Sequence, residues 1–93
     1  MQHGLLPEGL VLQRVTDEFT AQSVPSGLMR SHRLAAGVWG VLRVAVGTLI
    51  FVREAQPEAR VALAAGDALV IPPEVPHHVE VGTDTRFTVE FHR

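Results

Sequence analysis

Ninety-three residues are sized for one small domain with a modest core, and 46% hydrophobic against 19% charged residues is globular rather than disordered composition. The net charge of -2, with eight scattered arginines and no lysine, carries no polycation signal, so nucleic acid is not an expected partner. No cysteine is present, which excludes disulfides, zinc ribbons and thiol catalysis.

Met1-Gln2-His3-Gly4 has neither a basic region nor an apolar core and does not read as a signal peptide. No later run approaches the ~20 apolar residues of a membrane helix, so a cytoplasmic location and no membrane partner are expected. Strands are expected at 11–15, 19–24, 28–34, 38–46, 48–53, 60–64, 68–71, 77–81 and 86–91. Turn residues separate them: Pro25-Ser26-Gly27, Ala36-Gly37, Gly47, Gln56-Pro57-Glu58, Gly66-Asp67, Pro72-Pro73 and Gly82-Thr83-Asp84. Short strands recurring every ~8–12 residues argue for a single all-β domain, a sandwich or barrel, spanning residues 1–93. The best helical competitor, 54–65, holds Pro57 and alternates Val61 with Leu63, which favours a hairpin.

Alternation assigns faces. Val38, Gly40, Leu42, Val44 and Val46 share one face of their strand, and Trp39, Val41, Arg43 and Ala45 share the other. Both faces are largely apolar, so this strand is expected at the centre of a sheet. Arg43 is its odd member, explained either by a carboxylate partner or by an anion site inside the fold.

The most informative stretch runs from Gly66 to Glu80. A glycine, five residues, a proline and four more residues precede His77. Gly66-Asp67 makes a tight turn, 68–71 a short buried strand, and the prolines an extended bend. That bend delivers His77 to the next strand with its ring inward and turns His78 outward. His3 and His92, near the termini, are read as solvated.

This spacing matches the second half-motif of the cupins. Together with Leu6-Pro7-Glu8-Gly9-Leu10, Arg14–Thr20, Val24–Leu28, His32, Ala36–Gly40, Gly47-Thr48-Leu49, Val75–Glu80 and Arg86–Phe91, the chain resembles the small cupins of the TehB/YeaR-like group. That group is linked by name to tellurite resistance. The resemblance implies a cupin-type jelly-roll β-barrel, often a homodimer, with a divalent metal ion (Zn, Fe, Ni or Mn) and a small-molecule or oxyanion ligand. Some TehB-type proteins join such a domain to a methyltransferase using S-adenosylmethionine. One barrel accounts for all 93 residues, so methyl transfer is not expected.

The resemblance implies His77 and His32 as metal ligands. The usual first half-motif is incomplete: Leu34 stands where a second histidine would sit, and no carboxylate lies between Ala36 and Gly40. A third ligand is left to Glu90, Glu80 or water. The family carries an acidic residue at Glu90, whereas alternation with Phe87, Val89 and Phe91 turns it away unless a bulge intervenes. Glu80 shares the parity of His78, and both carboxylates also suit salt bridges to arginine. No nucleophile elbow surrounds Ser23, Ser26 or Ser31, and no phosphate-binding glycine loop is present. Three functions remain: a metal-binding module for a small anion or metabolite, a small metalloenzyme such as a dioxygenase or isomerase, or a metal-free interaction domain.

Overall fold

The computed structural model describes residues 1–93. Nine strands form: β1 (Gln2–His3), β2 (Leu12–Val15), β3 (Phe19–Thr20), β4 (Trp39–Val46), β5 (Thr48–Arg53), β6 (Ala59–Ala64), β7 (Ala68–Ile71), β8 (His77–Val81) and β9 (Arg86–His92). A single 3-10 turn at Ser26–Met29 is the only helical element. No helix is long and apolar enough to cross a membrane.

The strands make two sheets. The larger runs β1-β7-β4-β9-β2, with β3 also on β9; the smaller runs β6-β5-β8. The fold is therefore nearly all-β, and the sheets face each other without closing into a barrel. Alternating strands suit a sandwich and a barrel equally, because both bury one face per strand. Closure depends on hydrogen bonding between sheet edges, which side-chain patterning does not encode.

β4 is central, as its two apolar faces require. Leu42 and Val44 enter the main core with Phe51, Leu63, Val79 and Phe87. On the opposite face Val41 packs with Ala68 and Val70 beneath Leu6 and Trp39. The chain crosses between sheets at Gly47, whose φ of 75° is a left-handed conformation. A Cβ there would sit 2.8 Å from Asp84 Oδ1, so glycine is required twice over. The 54–65 segment is a hairpin arm, β6 pairing antiparallel with β5 from Thr48↔Ala64 to Arg53↔Ala59.

Two expected strands are cut short. The 19–24 segment pairs only at Phe19–Thr20, because Thr20 and Ser23 capture the backbone: Ser23 Oγ accepts from Thr20 N at 2.8 Å, and Val24 N donates to Thr20 O at 2.9 Å. The 28–34 segment opens in the 3-10 turn, where Leu28 N donates to Pro25 O, and meets a sheet only at His32. Leu28, His32 and Leu34 line the space between the sheets, whereas Arg30 is exposed. β1 is an addition: a polar pair of residues held parallel to β7, with the terminal amine 2.8 Å from Asp67 Oδ1.

Candidate functional site

A cavity of about 220 Å³ lies between the sheets, and ten of its sixteen lining residues are hydrophobic. Phe19, Leu42, Phe51, Phe87 and Val89 form apolar walls. Its polar members include Arg14, Thr16, His32 and His77.

The bend before β8 places His77. Gly66 turns with φ 93°, and Asp67 closes that turn by accepting from Ala64 N at 2.8 Å. β7 follows, fully buried, and the proline segment then passes through Glu74, whose φ of 64° is rare for a residue with a side chain. Glu74 N donates to Leu34 O at 2.9 Å, tying this bend to the 30–38 segment. His77 emerges only 2% exposed, inward beside Val79. Its ring centre lies 5.0 Å from that of Phe51.

His32 is joined to His77 by reciprocal backbone hydrogen bonds of 2.8 Å each, a single bridge extending the smaller sheet beyond β8. The rings sit edge to face, with centres 5.4 Å apart. His77 Nδ1 lies 2.9 Å from Val75 O, which makes it the protonated nitrogen and leaves Nε2 a lone pair. Burial holds the His77 imidazole below its usual titration range, offset in part by the Val75 bond, and the neighbouring His32 adds to the lowering. His77 is therefore neutral near pH 7. His32 Nδ1 is buried without a hydrogen-bond partner, the one such side-chain atom in the protein.

Glu90 is not brought to this pair. Its carboxylate lies on the other face of the larger sheet, 2.6 Å from Arg43 Nε and 3.1 Å from His92 Nε2. Partial burial pushes its carboxyl up, but the Arg43 and His92 hydrogen bonds together outweigh this and the net shift is downward. Alternation along β9 foretold that direction, and Arg43 takes the carboxylate partner that explains it. His92 is half-buried in this network rather than solvated. Glu80 lies 2.6 Å from Arg60 on the outer face of the smaller sheet. His78 is also turned outward, its Nδ1 2.5 Å from Glu54 Oε2; this bond, and then one with Ser31, holds the Glu54 carboxyl below its usual range.

As a metal site the set is incomplete. Neutral imidazoles are suitable donors for a divalent ion, and His32 Nδ1 is free to act as one. No group of three histidine or carboxylate side chains is gathered anywhere in the chain, however, and catalytic zinc sites use three protein ligands. Arg14, overlooked among the candidate residues, reaches the cavity from β2. Its register opposite Phe91 puts it there, because cross-strand partners share a face, and that pairing has no signal in the local sequence.

A nearly all-β domain of two facing sheets, with a largely apolar cavity between them lined by His32 and His77, defines the class: a small β-sandwich. The sequence profile of the TehB-like domain matches residues 14–89, and the chain belongs to that family. The uncharacterized protein YeaR of Escherichia coli K12 is 28% identical over 95 residues, covering 92% of this chain and 80% of YeaR. YeaR of Escherichia coli O157:H7 matches to the same extent. A crystal structure of an Escherichia coli K12 protein superposes with a TM-score of 0.86 at 26% identity, covering 96% of this chain and 95% of that one. The crystal structure of TehB from Haemophilus influenzae shares the fold, with a TM-score of 0.83 at 22% identity. It covers 91% of this chain but only 32% of TehB.

Proposed function

We propose that this chain is a small-molecule binding domain whose ligand enters between the sheets and places a polar group against His32 and His77. The observation that carries this reading is the largely apolar cavity lined by both histidines, where the Nδ1 of His32 is buried without a hydrogen-bond partner. A buried polar atom without a partner costs about 1–3 kcal/mol. A ligand toward which the His32 ring turns supplies the missing hydrogen bond and recovers that cost on binding. Titrating the protein with benzyl alcohol, followed by two-dimensional NMR, should shift resonances of the lining residues and spare the outer faces. Leu28→Trp, at a half-buried residue of the lining, should fill part of the cavity and abolish the response. Shifts spread over the surface, or unchanged in Leu28→Trp, defeat the proposal.

A second reading uses the same two side chains. His32 and His77 hold a divalent ion whose shell is completed by water or by the ligand itself. Two rings bound to one ion through bonds of about 2.0–2.1 Å have centres roughly 5 Å apart, near the observed 5.4 Å. The position of His77 after the glycine–proline spacing also supports this reading, and with it a cupin relationship. Metal analysis of untagged protein decides between the two: one ion per chain, lost in His77→Ala and kept in His78→Ala, favours it. Metal-free protein that binds benzyl alcohol favours the first.

A further inference from the structure

We propose that the cavity selects an amphipathic monocarboxylate, with Arg14 as the residue that recognises the acid group; this rests on the binding reading above. Arg14 is the only lining residue that carries a fixed charge, and no carboxylate lines the cavity. It stands opposite Phe91 in the β2–β9 register, and its guanidinium carbon lies 5.5 Å from the Phe91 ring centre. That ring gives the planar guanidinium a flat support. Arg43, Arg60 and Arg86 are all taken up by glutamates, whereas Arg14 makes no ion pair.

Thr16 lies two residues further along, on the same face. Its Oγ1 already accepts from Val89 N at 3.0 Å, so its hydroxyl proton is free to be donated. Arg14 presents donors only and the Thr16 hydroxyl can add one more, a match for an anion. A planar guanidinium binds a carboxylate through two parallel hydrogen bonds, which a point charge does not reproduce.

The rest of the lining defines the remainder of the ligand. A bare inorganic oxyanion would lose its hydration against walls of phenylalanine, leucine and valine and gain little in return. An apolar body gains from the same walls. A cavity of about 150 Å³ takes benzene. The 220 Å³ here accommodates a ring with a short acid arm, or an aliphatic chain of similar bulk.

Calorimetric titration with phenylacetate and with its neutral counterpart phenylacetamide separates the two layers of the argument. Wild-type protein should bind phenylacetate about tenfold or more tighter than the amide, the difference expected of a charge-assisted hydrogen-bonded pair. In Arg14→Gln the ratio should collapse to about one, with amide affinity retained. Arg14 is exposed on an edge strand, so the variant should fold, and its retained amide binding reports that it has. Arg14→Lys should fall between the two. Equal wild-type affinity for acid and amide, or a preference that survives in Arg14→Gln, overturns the carboxylate inference and leaves the cavity reading standing. Failure of both compounds to bind wild-type protein removes the cavity reading and this inference with it.

Discussion

Replacing His32 by phenylalanine should make this protein more stable. The substitution keeps a flat ring against His77 and leaves the reciprocal backbone bonds untouched, because they involve only main-chain atoms. What it removes is a buried nitrogen with no hydrogen-bond partner. Such an atom costs about 1–3 kcal/mol, so a gain of about 1–2 kcal/mol is expected. Against a total of roughly 5–14 kcal/mol for a chain of this length the effect is easily measured. The urea midpoint should rise by roughly 1 M with the slope unchanged, and the melting temperature by several degrees. His77→Phe provides the opposite case. It deletes the bond to Val75 O and leaves that carbonyl without its imidazole donor, so stability should fall by about 1–3 kcal/mol. Two histidines of one bridge should thus respond with opposite sign. Ligand binding should weaken in both, and gaining stability while losing binding marks a polar group kept for function. A midpoint that stays put or falls in His32→Phe refutes the claim that Nδ1 is an unsatisfied atom awaiting a ligand.

Stability should also depend on pH through His77. Its titration is lowered below the usual 6.5, so beneath 6.5 the unfolded chain binds a proton that the folded chain refuses; stability is full above 6.5 and declines as pH falls. Melting curves between about pH 8 and 5 should show this slope, and His77→Phe should flatten it; a slope of opposite sign contradicts the assignment. Glu90→Gln should cost about 1 kcal/mol or less in urea unfolding and leave metal content and ligand affinity unchanged, because its partners are Arg43 and His92. Loss of bound metal in that variant would restore Glu90 as a ligand. We propose a homodimer built on β2, whose outer edge is unpaired and flanked by exposed Val11, Leu12 and Val15. Light scattering should give a mass near two subunits, shifting towards one in Val15→Lys; a one-subunit mass for wild-type protein at micromolar concentration counts against it.

Local chemistry was sufficient for the strands whose ends carry their own turn residues. β5, β7 and β8 fall at the expected residues because Gly47, Gly66-Asp67 and the proline bend interrupt the chain wherever it lies. The proline bend aims His77 inward, and the opposite direction of His78 and the outward direction of Glu90 follow from alternation, a property of the pleat that needs no tertiary information. The same rule gave β4 two buried faces and gave Arg43 its need for a partner.

Tertiary structure decided the rest. Whether the 28–34 segment is a strand depends on an available sheet edge, and only His32 meets one, so an alternating pattern became a turn and a single bridge. β1 exists because β7 offers a neighbour and Asp67 binds the terminal amine; two polar residues carry no signal of their own. The resemblance paired His32 with His77, but the meeting of their rings and the isolation of Nδ1 arise from contacts between residues 45 positions apart. Arg14 entered the cavity through its register with Phe91, settled by a bulge between Leu12 and Arg14. Sequence determines what each side chain can do and which way it leaves its own strand. Which groups meet across the sandwich depends on long-range pairing of sheet edges, and no local pattern specifies that.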